Sequence, residues 1–383
     1  MTPFDFQPRT RIVFGPDKVD ALGELASEIG ARSAMVVSDP GVVAAGHTER
    51  GVGALEKAGI VTHVYDDVHE NPSTEDVDLG VAFAERHEPE LLVGLGGGSA
   101  MDCCKGVNFL YSNGGQMQDY WGVGKALREM LPMIAVPTTA GTGSETQSFA
   151  LISDANTKVK MACGDKKASC RIALLDPKLT VTQPASVTAL TGIDAIAHAL
   201  ETYVTKRRNP ASLAFSREAW HLLAGNFADV LNDPENLDAR GAMQLGASFA
   251  GLAIENSMLG ATHALANPLT QTYGIIHGQA IGLMLPHVIR FNGEKFPHWY
   301  GDLLEATGGA NGYPDPRHGV EGLASFVAEL VQKAGLPGNL SDCGVEPERL
   351  PELAAAAAQQ WTGNFNPREV GQAELLALYH RAF

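Results

Sequence analysis

Residues 91–107 read LLVGLGGGSAMDCCKGV, and this stretch decides the fold. An apolar run ends in Gly94, Gly96, Gly97 and Gly98, passes Ser99, and continues with helical spacing. A strand, a tight loop and a helix follow in that order. Glycines at such a junction let the backbone approach a pyrophosphate, and the free amides at the helix start receive its charge. The plain structural alternative is a tight turn with no ligand. The run departs from the spacing G-x-G-x-x-G, because Ser99 follows three successive glycines.

Outward from this loop, short apolar runs alternate with helical patterns. RTRIVFG (9–15), SAMVVSD (33–39), THVYDDV (62–68), ELLVGLG (90–96) and PMIAVPTT (132–139) read as strands. VDALGELASEIG (19–30), GVGALEKAGI (51–60) and TEDVDLGVAFAERHEP (74–89) read as helices, the last with Thr74 as N-cap. Such alternation implies a parallel sheet covered on both faces. A second polar loop, PTTAGTGSE (137–145), follows the strand at 132–139 and suits contacts to a phosphate and a carboxamide. Two such loops at strand ends of one sheet describe a nucleotide crevice. Asp39 closes SAMVVSD, where an acidic residue binds a ribose 2′-OH and repels a 2′-phosphate; it equally starts a turn Asp39-Pro40-Gly41.

From QPASVTALTG onward the apolar positions recur at helical spacing and strand signals fade, which places a domain boundary near residue 183, with domains 1–183 and 184–383. Pro184 suits a first helical position. ATGGANGYPDPRHG (306–319) reads as a surface loop, and LPELAAAAAQQW (350–361) as a helix.

The second half carries a quartet of polar residues in apolar surroundings. Asp194 and His198 sit four apart in GIDAIAHALETY, and His263 and His277 stand in GATHALANPL and GIIHGQA. Four apart on a helix is one face. A carboxylate and an imidazole there are costly to bury unless something satisfies them. One divalent metal would, and an oxygen with three nitrogens suits Fe2+ or Zn2+. Hydrogen-bonded core histidines are the alternative, and His287 in LPHVIRFN competes as a ligand.

Composition narrows the function class. The 383 residues are 45% hydrophobic and 19% charged, with a formal net charge of −16. No basic patch stands out; Lys206-Arg207-Arg208 reads as a solvated helix end, so nucleic acid is not an expected partner. Five cysteines without a CxxC pair point to reduced thiols in the cytoplasm. Neither a signal peptide nor an apolar membrane span is expected.

GGGSAMD, PTTAGTGSE, LLDPKLTVTQP, GIDAIAHALETYVT and HGQAIGLMLPHVIRFN together resemble the iron-containing (group III) alcohol dehydrogenases, with NPRE (366–369) as a weaker trailing match. The resemblance runs from about residue 9 to residue 294. It implies a Rossmann-like α/β dinucleotide-binding domain, an all-α metal-binding domain of dehydroquinate-synthase-like architecture, and a metal in the cleft between them. It carries the ligand roles to Asp194, His198, His263 and His277. It places Asp39, Asn71, Gly97, Gly98, Ser99, Asp102, Thr138, Thr139, Thr142 and Lys160 against the cofactor, NAD. It implies a small alcohol or aldehyde as substrate and a homodimer or larger homo-oligomer, for which RTRIVFG offers an edge strand. Two positions depart from the family. Asn267 replaces a histidine suspected as a proton carrier, and an amide cannot titrate near neutrality. Gln147 stands where a small hydroxyl residue is common. Of Phe149, Met258 and Trp361, all candidates for a pocket wall, each reads first as core. The rival functions are a dehydroquinate-synthase-like lyase with no net hydride turnover and a catalytically silent nucleotide-binding homologue.

Overall fold

The computed structural model describes residues 3–307 and 319–383. The loop expected at 306–319 therefore lies almost wholly outside the described residues. The chain forms two compact units, Gln7–Gln183 and Pro184–Phe383. Residues 3–6, counted with the α/β domain from the sequence, group with the helical unit, where the Phe6 ring lies 5.7 Å from that of Phe215.

The first unit runs β1 (Arg11–Phe14), α1 (Leu22–Ile29), β2 (Ser33–Val37), α2 (Pro40–Ala44), α3 (His47–Lys57), β3 (Val61–Tyr65), α4 (Thr74–His87), β4 (Leu91–Gly96) and α5 (Gly98–Asn113). Then come β5 (Gly122–Val123), β6 (Met133–Pro137), β7 (Phe149–Ser153), β8 (Lys160–Gly164) and β9 (Ile172–Leu175). A parallel six-stranded sheet has the order β1-β9-β6-β4-β2-β3. Alternation along each strand splits its side chains between two cores. Met35, Val37, Leu92, Met133 and Ala135 pack with Val77, Met101, Cys104 and Val107 on one face. Ala34, Val36, Val93, Leu95, Ile134 and Leu174 pack with Leu22, Leu25 and Leu55 on the other. Strands buried on both sides read as continuous apolar runs, which is why they were legible.

Three local expectations change. Ser73, not Thr74, caps α4: its hydroxyl accepts from Asp76 N, and Asp76 returns the bond to Ser73 N. Asp39-Pro40-Gly41 is not a turn but the start of α2. Strand β9 and a second, three-stranded sheet of order β5-β8-β7 have no counterpart in the sequence reading. These strands are short, and β7 and β8 form an antiparallel pair with no helix between them.

The second unit is helical: α6 (Ala185–Val204), α7 (Pro210–Asn232), α8 (Leu237–Asn256), α9 (Ala261–Tyr273), α10 (His277–Gly293), α11 (Pro297–Ala306), α12 (Gly319–Lys333), α13 (Leu350–Ala357) and α14 (Gln372–Ala382). Pro184 is the N-cap of α6, one position earlier than expected. From Gly192 to Val204 every residue of α6 is buried, because α7, α8 and α10 pack around it. Gly278 on α10 meets α6 so closely that a Cβ there would lie 2.2 Å from Leu190 O. Lys206 and Arg207 are exposed, but Arg208 is half-buried: its guanidinium lies 4.2 Å from the Trp299 ring and 5.0 Å from that of Tyr203. No helix among the described residues is long and apolar enough to cross a membrane.

Candidate functional site

In the α/β unit the sheet reverses its winding between β2 and β4: the chain steps from β2 outward to β3, and from β4 the opposite way to β6. Ligand crevices form where adjacent strands diverge like this, at their carboxyl ends. Asp39 follows β2, the glycine loop follows β4, and Thr138 and Thr139 follow β6. Their neighbours are close. A Cβ on Gly96 would lie 3.1 Å from Asp39 Oδ2, and one on Gly97 3.5 Å from Thr139 Cγ2. One on Gly98 would lie 2.6 Å from Thr142 Cγ2, so only glycine permits the two loops to touch there. Thr138 N donates to Gly96 O at 3.0 Å. Helix α5 begins at Gly98 with no side-chain cap on its N-terminal amides, which leaves them available to an anion.

The remaining cofactor candidates border the same loop. Ser99 Oγ accepts the N–H of Asn71 at 3.2 Å, and Lys160 Nζ donates to Asn71 Oδ1 at 3.1 Å. Asn71 holds a left-handed backbone, φ 55°, that aims it there. Asp102 is buried and accepts from Ser144 Oγ at 2.6 Å. Fully buried Lys105 donates to Ser144 O at 2.6 Å, Ser144 Oγ at 2.8 Å and Phe149 O at 2.9 Å. Burial raises the Asp102 carboxyl above the usual range against the pull of Lys105. Together Asp102 and Lys105 bind α5 to the second loop, whose other end Gln147 holds by donating to Thr142 O at 2.7 Å.

In the helical unit, α6 presents Asp194 and His198 on one face, α9 brings His263 in its first turn, and α10 opens on His277. All three imidazoles face one oxygen: Asp194 Oδ1 lies 3.4 Å from His198 Nε2, 3.4 Å from His263 Nε2 and 3.7 Å from His277 Nε2. The ligand atoms of Asp194, His263 and His277 fall within 4.8 Å of one another, while His198 joins through Asp194 and stacks on His263 at 4.9 Å and 17°. His287 does not belong to this group. It lies ten residues along α10 from His277, about 15 Å at 1.5 Å per residue.

These residues fit a divalent cation. Asp194 Oδ1 and His263 Nε2 are buried and make no hydrogen bond despite facing each other. Bare buried polar atoms cost free energy, and a cation at their common focus removes that cost. Burial pushes the Asp194 carboxyl up, but His198, His263 and His277 outweigh it and hold the group below the usual carboxylate range. Burial pushes His263 down, and its contacts with Asp194 and Glu201 reverse that, raising it above its ordinary value.

Sequence reasoning passed over Glu201, whose Oε2 lies 2.6 Å from His263 Nδ1. Its signal was a third ionisable residue on the Asp194–His198 face of an apolar helix. It also left Asn366 as a weak motif match. Asn366 Oδ1 accepts from Ala261 N at 3.3 Å at the head of α9 and from Asn292 Nδ2 at 3.0 Å, and its own amide donates to Asn292 Oδ1 at 2.8 Å. Asn267 donates to Gln360 Oε1 at 2.9 Å. Of the candidate pocket residues, Met258 is buried and Phe149 half-buried, but Trp361 is 40% exposed and is not core.

A doubly wound sheet with a bare helix start at its winding reversal, in one chain with a histidine–carboxylate cluster fit for a divalent cation, places the protein in a class: α/β chains equipped for a nucleotide and a metal. Comparison with known proteins narrows it. Residues 8–177 match the family model described as iron-containing alcohol dehydrogenase, and residues 188–383 match the C-terminal model of the same family. The 1,3-propanediol dehydrogenase of Klebsiella pneumoniae is 32% identical over 382 residues, covering 99% of each chain. The NAD-dependent methanol dehydrogenase of Bacillus methanolicus is 32% identical over 372 residues, covering 96% of each. A crystal structure of a 1,3-propanediol oxidoreductase superimposes with a TM-score of 0.96 at 32% identity, covering 100% of both chains. The chain belongs to the iron-containing alcohol dehydrogenase family and is an oxidoreductase of the alcohol dehydrogenase class.

Proposed function

We propose that this protein catalyses the reversible oxidation of a small primary alcohol to its aldehyde with NAD, using Fe2+ held by Asp194, His198, His263 and His277. The observation that carries the reading is the single oxygen of Asp194 faced by three imidazole nitrogens at 3.4, 3.4 and 3.7 Å. The family's iron and the named cofactor of the Bacillus methanolicus relative favour Fe2+ and NAD, and the donor set is one that Zn2+ also accepts. When bound, the cation supplies Lewis acidity at the substrate oxygen, and NAD supplies the hydride acceptor at nicotinamide C4.

The chain's own residues bind and orient. The amides of Gly98 and Ser99 at the start of α5 take the pyrophosphate. Asp39 accepts the adenosine ribose hydroxyl and opposes a 2′-phosphate. Asn71, Thr138, Thr139, Thr142 and Lys160 border the dinucleotide, and Asp102 holds the loop that bears Thr142. With NAD as the hydride acceptor, oxidation of the alcohol would also release one proton. Asn267 takes no proton, since its amide is neutral and already donates to Gln360. The released proton passes to solvent, which reaches the half-exposed ring of His277, 35% exposed in its side chain.

The test is metal analysis of chelator-free protein together with Asp194→Ala and His277→Ala. Each variant is expected to lose bound metal and at least about a thousandfold in kcat/KM for NADH formation from short alcohols, on the order of 4 kcal/mol of transition-state stabilisation. Full activity in both variants, with no stoichiometric metal in the unaltered protein, would overturn the reading.

A further inference from the structure

One charged side chain against the metal centre is absent from its four ligands. Glu201 follows Asp194 by seven residues and His198 by three on α6, so the three share a helix face. It is only 2% exposed. Its Oε1 accepts the N–H of Thr262 at 2.7 Å, and its Oε2 accepts that of Gly260 at 3.0 Å. The same Oε2 lies 2.6 Å from His263 Nδ1. An ionised carboxylate only accepts, so the close contact keeps a proton on Nδ1 and makes Nε2, which faces Asp194, the nitrogen left to ligate a cation. Gly260 leaves room for this: a Cβ there would lie 3.1 Å from Glu201 Oε1 and 3.1 Å from Asn366 Oδ1.

We infer that Glu201 is a positioning residue for the metal centre, fixing the tautomer and rotation of His263 and the starting point of α9 so that Nε2 is presented before a cation arrives. The inference rests on the metal-centre reading above. Glu201 touches neither the cation nor the substrate; it acts through His263. A helix-capping role alone would account for the Gly260 and Thr262 bonds but not for the third bond, to an imidazole whose other nitrogen has no hydrogen-bond partner. Partners of this kind raise the basicity of a ligating histidine, and their removal costs about 10–100-fold in metal affinity.

The experiment titrates metal-stripped, full-length protein with Zn2+ against a chromophoric chelator, comparing unaltered protein with Glu201→Ala, Glu201→Gln and Asn366→Ala. Asn366→Ala removes another acceptor at the head of α9 without touching a histidine. Both Glu201 variants are expected to bind Zn2+ about 10–100-fold more weakly, and Asn366→Ala within about threefold of the unaltered protein. Equal weakening in Asn366→Ala would reduce Glu201 to a helix cap, and unchanged affinity in Glu201→Ala would overturn the inference outright. An unaltered protein that takes up no Zn2+ would instead sink the metal-centre reading. If the Glu201 variants do not fold, nitrogen-15 histidine spectra of the unaltered protein decide. A slowly exchanging, downfield His263 Nδ1 proton is expected both before and after Zn2+ loading, and its absence overturns the assignment.

Discussion

The carboxylate of Asp39 has two oxygens with different employment. Oδ1 caps α2 by accepting from Gly41 N and Val42 N, each at 3.0 Å. Oδ2 is turned toward Gly96 at the winding reversal. The cap and the cofactor charge can therefore be separated. Asn caps as well as Asp but carries no charge, so Asp39→Asn is expected to keep the melting temperature within about 2 °C. It should shift the NADH-to-NADPH ratio of kcat/KM toward NADPH by about tenfold or more, the loss of on the order of 1–2 kcal/mol of repulsion at a 2′-phosphate. An unchanged ratio, measured with both cofactors on one aldehyde, would remove Asp39 from cofactor selection. At this scale the proposed metal ligands were legible in part. Asp194 and His198 declared themselves by spacing within one apolar helix. Glu201 shares that face, but its role was not legible, because what defines it is a set of donors at Gly260, Thr262 and His263 that local spacing never brings near.

Two of the three helices that carry the proposed ligands, α6 and α10, meet at one close contact. Helix α10 carries His277 as its first residue, and the next, Gly278, lies on the backbone of α6 at Leu190. Gly278→Ala would drive a methyl into that carbonyl, so the helices must part and His277 must withdraw from Asp194. The expected result is overpacking of about 1–3 kcal/mol in stability and at least about tenfold weaker metal binding, read by thermal melts and chelator competition. Metal affinity equal to that of the unaltered protein would mean that the helix spacing does not govern the site.

The same helix carries a pH-dependent contribution. His287 is pushed down to about 4, first by burial and then by Arg290 and Arg381. Its folded-state value is depressed, so the neutral ring's contribution is complete above the ordinary value near 6.5. It is lost as pH falls from there toward 4, where the unfolded chain binds a proton the folded chain refuses. The contribution is at most about 3 kcal/mol, and less because the ring is only half-buried and solvent screens it. Urea melts at pH 7.5 and pH 4.5 should show His287→Gln losing less stability on acidification than the unaltered protein. Equal losses would dismiss the residue as a source of acid sensitivity.

At the scale of the molecule, β1 is an edge strand. Its Arg11 and Gly15 amides donate to Arg171 O and Leu175 O of the β9 side, so the alternate amides of Ile12 and Phe14 face away from the sheet. An edge with free donors invites pairing with a second copy. Phe14→Pro removes one outward donor without breaking the ladder to β9. Light scattering is expected to find the unaltered protein as a dimer or larger assembly and this variant shifted toward monomer. A monomeric unaltered protein would overturn the expected self-association.

Short strands escape a reading based on alternation. Strand β9 is only four residues long and its last two open a motif valued for other reasons, and β7 and β8 answer each other without an intervening helix. Yet β8 opens on Lys160, whose bond to Asn71 borders the glycine loop. The sequence by itself determined the covered parallel sheet, the glycine-loop junction and the shared face of Asp194 and His198. Each follows from periodicity or from backbone freedom within a few consecutive residues. Only the tertiary structure decided that His263 and His277 reach the oxygen that His198 faces, and that Glu201 turns His263 toward it. Those distances are set by how closely whole helices pack, and packing is settled by contacts such as Gly278 on Leu190 between residues far apart in the chain.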